Sequence, residues 1–346
     1  MAPRDGAPPL LEVRNLRVRY RTRRGAVHAV DGVSFAIGEG EVLGVAGESG
    51  CGKSTLVRAL LRLLPPGAVM AADKLAFRGR DLLALPDRTF RREVLWKQLA
   101  LVPQSAQNSL NPAYRVGDQI VEALQAHADM TGAQARERVA ALFDIVGLEP
   151  GLARRFPHEF SGGMRQRAMI AMALALEPPL VIMDEPTTGL DVLVQERILR
   201  RIAEIRARVK SSILLITHDI AVIAEMADRI AVMYAGRIVE QGSTAAMFAA
   251  PFHPYTLGLQ NAFPSIAKPG KELISIPGHP PALAAPIGGC GFAARCPFAQ
   301  PRCGDARPPE VAVGPPGGPA HDAACVRLAD VAEIRRAARE KSTWRS

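Results

Sequence analysis

Short apolar runs alternate with longer amphipathic stretches from about Leu10 to Gly242. Residues 42–46, 99–103, 180–184 and 213–217 are apolar throughout, which predicts strands buried on both faces. Helical patterns lie between them, so the expected fold class is α/β with a mainly parallel sheet. Residues 229–234 and 237–240 flank Ala235-Gly236, the pattern of a short hairpin at the sheet's end. The alternation lapses between Asp81 and Pro157. Segments there, such as residues 133–145 closed by Gly147, read as helices, which predicts a helical insertion. After about Pro251 proline and glycine become frequent and sustained periodicity fades, as in a flexible tail. No internal repeat is visible.

Composition narrows the class. The 346 residues suggest about two domains at roughly 100–200 residues each. A hydrophobic share of 48% with 22% charged residues is ordinary for a globular chain and unlike a disordered one. No apolar run approaches the ~18–20 residues of a membrane span. The start, MAPRDGAPPLLEVR, is broken by charge and proline and lacks the apolar segment of a signal peptide. A secreted or membrane-spanning protein is not expected.

Net charge is +9, and arginine supplies most of the basic residues. Many stand near the ends, from Arg14 to Arg24 and from Arg335 to Arg345. Nucleic acid, an anionic membrane surface, a nucleotide or plain solvent would all suit them, so charge alone decides nothing. The five cysteines say more. Cys51 stands in a glycine-rich loop, whereas Cys290, Cys296, Cys303 and Cys325 cluster in the last fifth of the chain. Without an export signal a reducing compartment is expected, which favours metal ligation over disulfides and cross-links part of the tail into a small module.

Gly47-Glu48-Ser49-Gly50-Cys51-Gly52-Lys53-Ser54 fits G-x4-G-K-[ST] between an expected strand and an expected helix. Glycines let the backbone wrap phosphate oxygens so that successive N–H groups face the anion. Lys53 is then placed to reach the β- and γ-phosphates, and the Ser54 hydroxyl to ligate Mg²⁺. Cys51 occupies a variable position there and reads first as a small residue that fits, although its place near a helix N-terminus still suggests a more nucleophilic thiol. Downstream, residues 180–185 form an apolar strand ending in Asp184 and Glu185. Asp184 suits Mg²⁺ and Glu185 suits a general base for the attacking water. Ser161-Gly162-Gly163 opens an apolar helix over residues 165–176, a second anion-ready N-terminus. One nucleotide needs one such cradle, so the second is expected to close over a nucleotide held by a partner subunit. Gln104 follows one strand and His218 another, where polar side chains can meet Mg²⁺, water or the γ-phosphate.

In this order the residues resemble the nucleotide-binding subunit of an ABC transporter. The resemblance makes residues 47–55, including Thr55, the Walker A loop, Gln104 the Q-loop and residues 160–164 the signature. Residues 180–185 are then Walker B, Gly189-Leu190-Asp191 the D-loop and His218 the switch histidine, with Tyr20 the adenine-stacking aromatic. The signature Phe-Ser-Gly-Gly-Met, Ser109-Leu110-Asn111-Pro112, His253-Pro254-Tyr255-Thr256 and the cysteine-bearing extension further resemble the D-type ATPase of bacterial dipeptide and oligopeptide importers. Met164 departs from the general signature by losing an amide.

The resemblance implies a P-loop ATPase core with an antiparallel β subdomain and a helical insertion at about 85–165. Residues 1–255 would form this nucleotide-binding domain and 256–346 an irregular cysteine-containing extension. It also implies ATP hydrolysis on the cytoplasmic face of the inner membrane. Expected partners are a second, non-identical ATPase subunit, two permease subunits and an extracytoplasmic substrate-binding protein, with no nucleic acid. The cysteines are separated by five, six and twenty-one residues, unlike the usual C-x2-C spacing. Four thiolates could hold zinc or a [4Fe–4S] cluster, and His321 could replace one ligand; the resemblance favours the cluster. The rival readings are an importer ATPase for another solute such as a nickel chelate, a soluble ABC ATPase acting on nucleic acid, and a subunit that binds ATP without hydrolysis.

Overall fold

The structure is a computed structural model that describes residues 8–23, 25–104, 108–189, 191–209, 211–262, 274–315 and 320–344. Arg24, Leu190, Arg345 and the prolines and glycines at 316–318 lie outside the described residues. The chain divides into two compact units, Met1–Ala36, Leu43–Arg80 and Thr217–Ser346 in one, Ile37–Val42 and Asp81–Ile216 in the other.

The first unit opens on an antiparallel sheet. Strand Leu11–Thr22 pairs with Gly25–Ile37 on one side and with Ala68–Ala71 and Lys74–Phe77 on the other. Leu11, Val13, Leu16 and Val18 are buried, while Arg14, Arg17, Arg19 and Arg21 are exposed. The buried phase switches from odd to even residues at Asn15, whose φ of 50° is left-handed. The basic N-terminal stretch is therefore the solvated face of a half-buried strand.

A second sheet in this unit pairs strand Val42–Ala46 in parallel with Arg229–Tyr234. The latter forms the expected hairpin with Arg237–Ser243, longer than its apolar pattern indicated. Gly44 has no room for a side chain, because a Cβ would lie 2.6 Å from Ile223 Cγ2 on helix Ile220–Met226. The C-terminal region is not a loose tail in its described parts. Strand His321–Ala323 pairs with the hairpin, Gly242 opposite His321, and Val311–Ala312 pairs in turn with His321–Ala323. Ile274, Phe292, Ile334 and Trp344 are buried.

The second unit carries three parallel strands, Leu99–Val102, Leu180–Asp184 and Ser212–Thr217. Leu180–Asp184 is buried along its whole length, which explains its unbroken apolar run. Helices Val116–His127 and Gly132–Ile145 bury Val116, Ile120 and Leu124 and Ala135, Val139 and Leu142, the spacing of single apolar stripes. Thr131 and Gln134 close a capping box at the start of the latter. Helix Gly162–Ala173 begins three residues before its apolar pattern, because Ser161 is its N-cap and accepts from the Met164 N–H at 3.3 Å. No helix among the described residues is long and apolar enough to cross a membrane.

Candidate nucleotide site

Strand Val42–Ala46 runs into the glycine loop, and helix Lys53–Leu60 follows it. Gly52 is the N-cap in a left-handed conformation, φ 109°, and a Cβ there would lie 2.1 Å from the Ala29 carbonyl oxygen. At Gly47 a Cβ would lie 2.2 Å from the Met233 carbonyl oxygen. Glycine is thus required for the loop's path against the protein behind it as well as for its open face. Lys53 is only 5% exposed, and its ammonium donates to the carbonyls of Gly47 at 2.6 Å and Glu48 at 2.9 Å. Ser49 and Gly50 occupy the loop's turn, with open space at the Gly50 Cβ position. Ser54 and Thr55 lie in the first turn of the helix. Tyr20 joins this site, its hydroxyl donating to Thr55 Oγ1 at 3.1 Å.

Cys51 sits inside the loop, which bears against the suggestion of a more nucleophilic thiol. It is 2% exposed, and burial raises its thiol above the usual range despite neighbouring Lys53. Desolvation outweighs the helix N-terminus, so the thiol is buried and protonated and not a reactive nucleophile.

In the second unit Glu185 follows the strand end with a φ of 48°. A left-handed, non-glycine residue costs about 1–3 kcal/mol and persists only where its surroundings fix it. Here its N–H donates to the Ile216 carbonyl at 2.7 Å. Its Oε2 accepts from Gln104 Nε2 at 2.9 Å and from Thr188 Oγ1 at 2.9 Å. Asp184 is 7% exposed at the end of the same strand. Ser161, Gly162 and Gly163 open their helix as expected, and a Gly163 Cβ would lie 2.6 Å from Val194 Cγ1. Asp191 accepts from the Val194 N–H at 2.9 Å through Oδ1, at the start of helix Val192–Val209. In the Ser-Leu-Asn-Pro segment Leu110 is buried and the Asn111 N–H donates to Gln119 Oε1 at 2.9 Å. His218, in the first unit, is exposed and precedes Asp219, the N-cap of helix Ile220–Met226.

The four clustered cysteines line one small cavity of about 20 Å³ with His253, Phe292 and Arg327. All are free thiols. Burial raises Cys290 and pushes Cys296 up to about 12 and Cys325 up to about 11. Among the described residues no three His, Cys, Asp or Glu side chains sit close enough to hold a single metal ion. His321 does not line this cavity; its Nε2 meets Glu240 Oε1 at 2.8 Å inside the sheet, so it is a structural partner and not a stand-in ligand. A separate cavity of about 440 Å³ in the first unit is lined by Glu12, Arg14, Asp73, Glu310 and Asp322, with Arg14 paired to Glu12.

Two residues were not foreseen. The Tyr255 hydroxyl accepts from the Glu48 N–H at 2.9 Å, and Arg295 pairs with the Glu48 carboxylate at 2.7 Å. Tyr255 had a signal in the His-Pro-Tyr-Thr segment; Arg295 had none.

Comparison with known proteins agrees with this geometry. The family described as ABC transporter matches residues 30–188. The oligopeptide/dipeptide transporter C-terminal region matches residues 239–303. A family described as AAA domain, putative AbiEii toxin, Type IV TA system, matches residues 153–224. The "Probable peptide ABC transporter ATP-binding protein y4tR" of Sinorhizobium fredii is 44% identical over 94% of this chain and 97% of its own length. The dipeptide transport ATP-binding protein DppD of Bacillus subtilis is 45% identical over 83% of this chain and 87% of its own. The oligopeptide transport ATP-binding protein OppD of Salmonella typhimurium is 44% identical over 87% and 90%. Among solved structures, cbiO1 of Clostridium perfringens, part of the ABC transporter complex cbiONQ, aligns with a TM-score of 0.60 at 27% identity over 70% of this chain and 92% of its own. The dimeric structure of MJ0796, a bacterial ABC transporter cassette, aligns with the same score at 25% identity over 68% and 98%. This chain belongs to the ABC transporter ATP-binding proteins, as an ABC ATPase carrying the oligopeptide/dipeptide transporter C-terminal region.

Proposed function

We propose that this chain binds and hydrolyses ATP to drive import of dipeptides or oligopeptides, bound peripherally at the cytoplasmic face of the inner membrane. The observation that carries the catalytic half is the Glu185 carboxylate, held by Gln104 and Thr188 on a left-handed backbone at the strand end. The names of the relatives carry the peptide half. The ATPase domain is taken as residues 1–255, with its helical insertion at about 85–165, and the extension as 256–346.

In this reading the backbone from Gly47 to Gly52, with Ser49, Lys53 and Thr55, clasps the phosphates, and Tyr20 stacks on adenine. Ser54 and Asp184 would hold Mg²⁺ with Gln104 as a further ligand, and the ion would supply charge neutralisation at the phosphates. The buried carboxylate of Asp184 at a strand end is a hard oxygen donor of the kind Mg²⁺ takes. Glu185 accepts the proton of the attacking water, and His218 faces the γ-phosphate. Ser161, Gly162, Gly163 and Asp191 act across the seam on the nucleotide of a second, non-identical ATPase subunit. Closure of the pair pulls on two permease subunits that receive solute from an extracytoplasmic binding protein. ATP hydrolysis by the assembled transporter is expected to rise when peptide-loaded binding protein is added. Stimulation by a nickel-chelate-loaded protein or by nucleic acid, with none by peptide, overturns the assignment.

We further propose that Cys290, Cys296, Cys303 and Cys325 hold a [4Fe–4S] cluster. Support comes from the donor set, four cysteines around one cavity; at about 20 Å³ that cavity would have to widen to admit the cluster. A single zinc would need thiols gathered more tightly than the described residues place them. Anaerobically purified protein is expected to be brown, absorbing near ~400 nm, with about four irons per chain. Colourless protein with stoichiometric zinc overturns this.

A further inference from the structure

The cysteine module and the phosphate loop meet in one buried cluster within the first unit. Arg295 ends the turn Ala293–Arg295, immediately before Cys296. Its Nη1 donates to Glu48 Oε2 at 2.7 Å and its Nη2 to Oε1 at 3.2 Å. The same guanidinium donates to the Tyr234 hydroxyl at 3.2 Å and, through Nε, to the Pro277 carbonyl at 2.8 Å. The Arg295 side chain is 8% exposed and that of Glu48 25%. Such a two-pronged pair, largely out of water, is damaged more by losing one partner than by losing both.

Glu48 is the second residue of the phosphate loop, and it is fixed at three points. Tyr255 accepts its N–H, Lys53 donates to its carbonyl, and Arg295 holds its carboxylate. Tyr255, Tyr234 and Phe292 fill the space behind, with ring centroids 4.5 to 5.3 Å apart. Phe292 also lines the cysteine cavity. A displacement of the module is therefore transmitted to the loop through packed rings and one ion pair.

We infer that Arg295 is a positioning residue for ATP, through which the cysteine module sets nucleotide affinity. Two effects act together. Left uncovered, the Glu48 carboxylate would repel a polyanionic triphosphate, and it would draw the loop's first peptide units out of place toward water. Both effects act on ATP binding and neither acts on the proton transfer at Glu185, so affinity changes while the rate of cleavage does not. The inference rests on the nucleotide reading of the loop.

The test compares full-length wild type, Arg295→Met, Arg295→Lys, Glu48→Gln and the Arg295→Met/Glu48→Gln double variant. Binding of a fluorescent ATP analogue and steady-state hydrolysis are both measured. Arg295→Met is expected to raise the Kd and KM for ATP about 10- to 100-fold, the effect of one lost charge-assisted contact, with kcat within about threefold. Arg295→Lys restores part of the affinity, since one ammonium replaces a fork. The double variant recovers most of it, because no uncovered carboxylate remains. Should Arg295→Met fold poorly, the Glu48→Gln background carries the test: there, loss of the arginine is expected to change Kd less than about threefold. A double variant as weak as Arg295→Met, or an unchanged Kd in Arg295→Met, overturns the inference. If Lys53→Ala also leaves ATP binding intact, the nucleotide reading itself fails; if only Arg295→Met does, the coupling alone falls.

Discussion

Lys53→Ala is expected to abolish ATP binding at micromolar nucleotide. The ammonium is buried and donates to two carbonyls of the loop itself, Gly47 and Glu48. Its loss removes the cation proposed to meet the phosphates and, with it, the lysine's two hydrogen bonds to the loop. At about 1.5–3 kcal/mol per charge-assisted hydrogen bond, two such contacts correspond to roughly 10²–10⁴ in affinity. Titration with a fluorescent ATP analogue checks this. A Kd within about threefold of wild type would mean that the glycine loop is a turn without a nucleotide.

Glu185→Gln is expected to separate binding from turnover. Glutamine keeps an oxygen that can accept from Gln104 and Thr188, so the local hydrogen bonds survive. It cannot take a proton from water. Hydrolysis should fall by roughly 10²–10⁴, the usual share of a general base, while ATP still binds. A variant that loses ATP binding yet keeps its rate per occupied site removes Glu185 from the base's role. Gln104→Ala would not mimic it, because the carboxylate remains and only its orientation is lost.

The buried strands of the second unit were legible because both faces are covered, which leaves an unbroken apolar run such as Leu180–Asp184. The phosphate loop was legible because its chemistry is local: seven consecutive peptide units and one lysine. Strand Leu11–Thr22 was harder to read. Its arginines look like a charge cluster, and its alternation changes phase at Asn15. The apolar pattern of helix Gly162–Ala173 was placed late, because its first turn carries two glycines and a single apolar residue, Met164.

What was not legible depends on distance along the chain. Arg295 and Glu48 are 247 residues apart, and no local pattern marks either as the other's partner. His321 read as a spare ligand because cysteines surround it in sequence; in space it belongs to Glu240. Cys51's place before a helix suggested a more nucleophilic thiol beside the plainer reading of a small residue, and burial acts against the former. Strand His321–Ala323 is three residues long, too short for periodicity, and exists only because a hairpin edge awaits it.

That short strand decides what can be inherited or engineered separately. His321–Ala323 seals the rim of Arg237–Ser243, and its histidine satisfies Glu240, which is wholly shielded from solvent. A chain truncated before it would bare backbone amides along that rim and take one partner from a buried carboxylate, leaving it only the N–H groups of Phe252 and His253. The extension is consequently no detachable appendage. Motor and tail must be transplanted as a single piece.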